Sequence, residues 1–455
     1  MDYKVEHVEG ITELLRLRRD PLAYMQSLSS NQVDVRHIRV GKREIFMVNQ
    51  PELIQNVLVT HDWNFIKGRG LRSSKPMLGD GLLTSEGELH RRQRRMVQPA
   101  FHSNRMEGYA AAMVQASAAM CDRWKDRTQC DVHAEMMKLT LGIVGSTMFG
   151  AEVRDDAPEI GKNLTEALHI FMRLNSLPAQ FVAPIRRRYE KQAKEARQGI
   201  LEVLRPMLDA HRASPEAYED MLSMLMAAHD EPGTGYMSEE LLLDECLTLF
   251  LAGHETTANA LTWSLLLLSG HPAEEATVRE ELDALLAHRL PTMDDLARLP
   301  RTTAFFREAL RLYPPAWIVT REAVTPYVLG DVQVPAGGTV VMSPYTTQRD
   351  ARFWSSPDTF DPSRWLVPAE RPRFSYFPFG AGTRVCIGEH FAMMEGVLVL
   401  ATLLRSFQVC VLEPEKVEAW PQLTLRPRGA VSARLTPRAA RKTAAREEFA
   451  SVAAL

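Results

Sequence analysis

Phe379-Gly380-Ala381-Gly382-Thr383-Arg384-Val385-Cys386-Ile387-Gly388 runs directly into Glu389-His390-Phe391-Ala392-Met393-Met394-Glu395, a segment with helical character. Three glycines surround one cysteine, so the backbone can fold tightly about the sulfur. The helix that follows turns its positive N-terminal end toward the loop, where a thiolate would be stabilised. A lone cysteine is ordinarily a small buried apolar side chain. That description suits Cys121, Cys130, Cys246 and Cys410, which lie in ordinary helical or strand contexts. Cys386, framed by glycines, calls for another.

Outward from the loop, the chain of 455 residues has Lys+Arg 54 against Asp+Glu 57, a formal charge of −3, with 45% apolar and 24% charged residues. This is an ordinary globular composition, long enough to bury a cofactor-sized cavity. Near-neutral charge gives no case for bulk nucleic-acid binding. Five cysteines without a CxxC pair argue against a disulfide framework or a zinc ribbon and fit a reducing cytoplasm. Charges interrupt Ile11 to Arg19, so no signal peptide is expected. The most apolar stretch, Leu247 to Leu268, carries His254, Glu255, Thr256, Thr257 and Asn259 in its middle. A bilayer core tolerates such groups poorly, so the stretch reads as a helix buried in protein rather than a membrane anchor.

Residues 34 to 60 alternate apolar and polar around Gly41-Lys42, which predicts a β-hairpin. Helical periodicity dominates 87–312, with breaks expected at Pro178, Pro184 and Pro232-Gly233. Strand-like segments return at about 323–345 and 409–435, ahead of an Ala/Arg-rich tail at 437–455. The expectation is one domain over 1–455, mainly α with small β-sheets (α+β).

Within the apolar helix, Ala252, Glu255, Thr256 and Asn259 fall on one side. A polar stripe there is costly unless it faces water, a ligand or partners. A hydroxyl bonded back to the preceding turn accounts for Thr257; the carboxylate of Glu255 beside Thr256 needs another reason. Glu308 and Arg311 are an i,i+3 pair, commonplace on a surface, but they lie on an apolar helix that ends at Tyr313-Pro314-Pro315. In Gly87 to Arg95, a basic run, His90 and Arg94 are i,i+4 neighbours, and Arg91 and Arg95 form a second pair about a quarter-circle away.

The glycine-framed loop resembles the haem-binding loop of the cytochrome P450 family, Phe-x-x-Gly-x-Arg-x-Cys-x-Gly, with Phe379, Gly382, Arg384, Cys386 and Gly388 filling every specified position. The resemblance implies that Cys386 is the thiolate ligand of haem iron. It also implies that Phe379 packs near the sulfur, that Arg384 pairs with a haem propionate, and that Gly380 and Gly388 shape the cofactor loop. Ala252-Gly253-His254-Glu255-Thr256-Thr257 is similar to the family's oxygen-binding motif. There the residues matching Glu255 and Thr256 are catalytic and relay protons toward dioxygen, and Ala252 leaves room for oxygen and substrate. His90 and Arg94 match propionate contacts, and Arg321 matches a further propionate-binding arginine. Glu308, Arg311 and Arg364, the last in Phe360-Asp361-Pro362-Ser363-Arg364-Trp365, match a structural cluster bracing the ligand loop. Gln348 stands where many relatives carry His.

The resemblance runs through nearly the whole chain and implies a haem-thiolate monooxygenase. It would use haem b and dioxygen to hydroxylate or epoxidise a hydrophobic small molecule, with a subgroup likeness toward fatty-acid hydroxylases and bacterial terpenoid oxidases. Leu82, Leu83, Thr248, Ala252, Trp317, Ile318, Val319, Leu423 and Thr424 flank the motifs and are the candidate substrate-pocket residues. No flavin or iron-sulfur segment follows, so electrons are expected from a separate ferredoxin and ferredoxin reductase. A cytoplasmic monomer is expected, without nucleic acid. Two alternatives fit the same sequence: an oxidase that closes a ring without inserting oxygen, and a non-catalytic haem sensor.

Overall fold

A computed structural model describes residues 2–438 apart from 151–162, 164–165, 167–168, 177–178, 180–181, 219, 229–236 and 287–288. The expected breaks at Pro178 and Pro232-Gly233, and the tail beyond Arg438, lie outside these residues. The fold is mainly α with small β-sheets, as the sequence leads one to expect.

The largest sheet has six strands in the order Val5–Glu9, Val35–Val40, Arg43–Val48, Thr339–Met342, Val319–Ala323, Phe65–Lys67. Its hairpin turns at Gly41, φ 60. Strand character stops at Val48, earlier than expected. Pro51 opens the helix Pro51–Gln55, where its fixed φ suits a first turn, and Asn56–Thr60 continues as a π turn. Pro184 likewise lies in the first turn of the helix Ala183–Ala213, so it starts a helix instead of breaking one. Two helices went unforeseen near the N-terminus, Ile11–Arg19 and Pro21–Ser30; Asp20 caps the second by accepting from the Ala23 N–H at 3.0 Å.

Four elements position the site. The central helix, Glu239–Gly270, starts at Ser238, whose hydroxyl caps the Leu241 N–H, and is buried along most of its length. Gly253 lets it lie close on the helix Val132–Phe149, since a Cβ there would come 2.9 Å from Val144. The helix Glu389–Ser406 follows the cysteine loop. The basic run forms the helix Gly87–Val97. Finally, the turn before the strand Leu425–Pro427 is pinned by Trp263 Nε1 donating to the Leu425 carbonyl at 3.0 Å and by Leu425 N–H donating to the Pro315 carbonyl at 2.9 Å. Among the described residues no helix is long and apolar enough to cross a membrane.

Candidate active site

The cysteine loop is closed by its own backbone. Cys386 N–H donates to the Phe379 carbonyl at 2.9 Å, and Val385 N–H to that of Gly382 at 3.1 Å. Gly380 and Gly382 take φ 72 and 70, and a Cβ on Gly382 would collide with the Leu58 carbonyl. Protein crowds around Cys386, yet the residue is exposed, so its sulfur borders an internal opening. Burial pushes the thiol up, opposed by the Gly388 N–H and Arg94. The Gly388 N–H at the head of the helix favours the thiolate, and a bound metal cation would favour it more strongly.

Positive charge gathers beside this loop. Arg384 donates to the Ser85 carbonyl at 2.7 Å and pairs with Glu86; Arg94 Nη1 donates to the Val385 carbonyl at 2.8 Å. Lys67 and Arg321 are cross-strand partners, both buried, on neighbouring strands. Like charges directly opposite destabilise a sheet unless something intervenes. Burial, with Arg321 and Arg384 nearby, pushes Lys67 well below the usual lysine range. Arg321 is pushed down to about 10 by burial and Arg384, and His90 to about 3 by burial and the surrounding cations. The acids acting on this group are Glu86 and, at Arg321 and Arg384, Asp62. Lys67 and Glu86 were not foreseen. Their only sequence signals are a lysine ending a short apolar run and the first of two acids, Glu86 and Glu88, at the head of the basic helix. Arg91 and Arg95, by contrast, lie on the exposed side, at 2.5 and 3.9 Å from Glu88.

On the central helix Ala252 is exposed although most residues of the neighbouring turns are buried. The polar residues divide differently from the expected stripe. Thr256, not Thr257, bonds back to its own helix, donating to the Ala252 carbonyl at 2.7 Å. Thr257 is buried and acts on the buried carboxyl of Glu395. Glu255 makes no hydrogen bond to Thr256; its Oε1 accepts from the Thr424 hydroxyl at 2.8 Å, and burial pushes it up. Thr424, read from sequence as a pocket residue, is thus buried and committed to Glu255 and Asn259. Trp317 is also corrected: it is buried in an apolar cluster with Met25, Leu28 and Ile38 and donates to the Gln422 carbonyl at 2.9 Å. Leu83, Ile318, Val319 and Leu423 are half-buried. Leu82 is buried beside the central helix, its N–H donating to Glu245 Oε2 at 2.9 Å, and the buried Thr248 hydroxyl has no partner among the described residues.

Glu308, Arg311 and Arg364 come together. Arg311 grips Glu308 through two bonds of 2.9 and 2.8 Å, and Arg364 Nε reaches the same carboxylate at 3.3 Å. Arg311 also donates to the carbonyls of Gln348, Pro357 and Thr359. Gln348 carries the cluster to the cysteine loop: its amide donates to the Leu310 and Arg311 carbonyls and accepts from the Phe377 N–H at 3.1 Å.

The family profile described as Cytochrome P450 matches residues 9–432. The chain belongs to the cytochrome P450 family. It is 37% identical over 415 residues to cyclooctatin synthase of Streptomyces melanosporofaciens, covering 90% of each chain. It is 35% identical over 407 residues to pentalenene oxygenase of Streptomyces avermitilis, covering 88% of this chain and 89% of that one. Among solved structures it is similar to the haem domain of cytochrome P450DA, with a TM-score of 0.82, 26% identity and coverage of 92% and 93%. The chain is therefore a P450 monooxygenase, and haem is the cofactor its family implies. The residues fit that group. The P450 places an open sulfur, an exposed alanine on a buried helix, and a set of desolvated cations beside one another. A metal for the thiol and two carboxylates for the cations are what this arrangement lacks.

Proposed function

We propose that this P450 binds haem b and uses dioxygen to hydroxylate or epoxidise a hydrophobic polycyclic terpenoid, with electrons from a separate ferredoxin and its reductase. The observation that carries the reading is the open Cys386 sulfur beside the cluster of Lys67, His90, Arg94, Arg321 and Arg384. Cys386 would ligate the iron, with Phe379 packed close by. The basic residues would take the propionates. When bound, the haem supplies the activation of dioxygen and the oxidising power. This chain's residues supply the rest: Ala252 leaves space, Thr256 offers a hydroxyl beside that space, Glu255 holds a proton in a site shielded from bulk water, and Leu83, Ile318 and Val319 offer apolar surface. The likeness to relatives named for cyclooctatin and pentalenene supports a terpenoid. The exposed arginines 91 and 95 support docking of an acidic electron donor.

Reduced holoenzyme under carbon monoxide should give a red-shifted Soret band. Cys386→Ala should abolish it together with most haem retention, and Cys410→Ala should leave it intact; an unchanged spectrum in Cys386→Ala overturns the ligand assignment. In spectral titrations of pentalenene, other terpene hydrocarbons and palmitate, a terpene should move the Soret band most. A fatty acid moving it more would refute the substrate class.

A further inference from the structure

Glu255 makes no hydrogen bond to Thr256, and its carboxyl is held by a residue outside the helix. Thr424 Oγ1 donates to Glu255 Oε1 at 2.8 Å, and Asn259 Nδ2 donates to the same Thr424 oxygen at 3.1 Å. A hydroxyl has one proton, so accepting from Asn259 leaves that proton free for Glu255. Arg426 Nη1 stands 3.9 Å from Glu255 Oε1, and its Nη2 lies 3.4 Å from His133 Nε2. Glu255 Oε2 is buried without a partner among the described residues. Arg426 has a side chain 18% exposed against 3% for Glu255, and so links the buried carboxyl to the surface.

We infer that Thr424 is a positioning residue for Glu255: it fixes the carboxyl toward the strand Leu425–Pro427, where the proton lost from Glu255 is replaced from solvent beside Arg426. This rests on the reading of Glu255 as the proton carrier. Oε1, tied to Thr424, stays an acceptor, so Oε2 is the oxygen that gives up and regains the proton. One proton leaves and one returns, so the carboxyl is restored in each cycle. The charged group acting on Glu255 is Arg426, on the strand. His133, from the helix Val132–Phe149, stands behind Arg426 and is pushed down to about 4 by burial and that arginine, so it adds no second charge at neutral pH.

The test uses holoenzyme. The infrared C=O band of Glu255, assigned by its loss in Glu255→Gln, is titrated with pH, and the share of NADPH electrons reaching product instead of hydrogen peroxide is measured with the best terpene of the spectral screen. Thr424→Val should move the titration up by about one pH unit, because the ionised form loses a donor, and should lower coupling several-fold; Thr424→Ser should restore both. If Thr424→Val does not fold, Thr424→Ala, which removes the same hydroxyl, carries the test, with the same upward shift and loss of coupling expected. Wild-type titration or wild-type coupling in Thr424→Val, with Glu255→Gln uncoupled, overturns the positioning role alone. Full coupling in Glu255→Gln overturns the proton role of Glu255 itself.

Discussion

Replacing Glu395 by glutamine should flatten the fall in stability expected of this protein as pH rises toward 8. Glu395 lies on the helix that follows the cysteine loop, fully buried, and neither carboxyl oxygen meets a hydrogen-bond partner at full geometry among the described residues. Burial pushes it up to about 8, with the Thr257 hydroxyl opposing. The folded protein therefore keeps this proton over a range where the unfolded chain, near 4.5, has released it. Stability from the group is full below about 4.5 and is lost as pH rises to about 8, at about 1.4 kcal/mol per pH unit. Between pH 6 and 7.5 that is about 2 kcal/mol, large against the usual 5–15 kcal/mol of a folded domain. Glu245, also pushed up to about 8 by burial, contributes a similar slope. Urea unfolding of holoenzyme, followed by circular dichroism at pH 6, 6.75 and 7.5, measures it. Glu395→Gln should remove about 1.4 kcal/mol per pH unit from the wild-type slope and leave the part due to Glu245. An unchanged slope would mean that Glu395 is ionised or solvated in the native protein, and the burial argument would fail.

Lys67→Met should act with opposite signs on the two forms: by removing one of two facing cations it should stabilise the haem-free protein by about 1 kcal/mol, while haem affinity falls about tenfold; calorimetry of apoprotein and haem transfer to apomyoglobin report each, and tighter haem in the variant would refute the anion role. Arg94→Ala should speed haem loss, whereas Arg91→Ala should spare haem and weaken donor binding only at low salt; equal haem loss from both would refute the helical phasing. Arg311→Ala should cost about 3–5 kcal/mol by stranding buried Glu308, and a loss below about 1 kcal/mol in thermal unfolding would show the cluster to be dispensable. Thr256→Ala should leave fold and haem spectrum intact while electrons leak to hydrogen peroxide, and Thr257→Ala should instead move the Glu395 slope; the reverse pattern in peroxide yield and urea titration would undo the division of the two hydroxyls.

What was legible in the sequence was what is local. The cysteine loop is legible because its glycines, its sulfur and its helix are consecutive, and the phasing of His90 and Arg94 follows from one helix alone. Whatever depends on register between distant strands is not: Lys67 meets Arg321 only through a sheet pairing, and no periodicity around Phe65-Ile66-Lys67 announces it. Rotamer choice is similarly hidden. Thr256 and Thr257 are adjacent and chemically alike, so spacing alone cannot say which hydroxyl turns back on the helix and which faces Glu395. Thr424 and Trp317 sit near the motifs in sequence, which suggested a pocket, but each spends its polar group on a segment far along the chain.

The arginines of the site share one habit, which fixes the backbone of the loop. Arg94 bonds the Val385 carbonyl, Arg384 the Ser85 carbonyl, and Arg311 three carbonyls between Gln348 and Thr359. Bonds from a cation to the main chain fix backbone position, whereas surface pairs between two flexible side chains contribute little. Gln348 extends the same scheme to Phe377 with an amide that does not titrate. The segment that presents Cys386 is thus tied by donors whose number does not change near neutral pH. Near neutral pH, a slope in the stability of the fold is expected from the buried carboxyls Glu245 and Glu395.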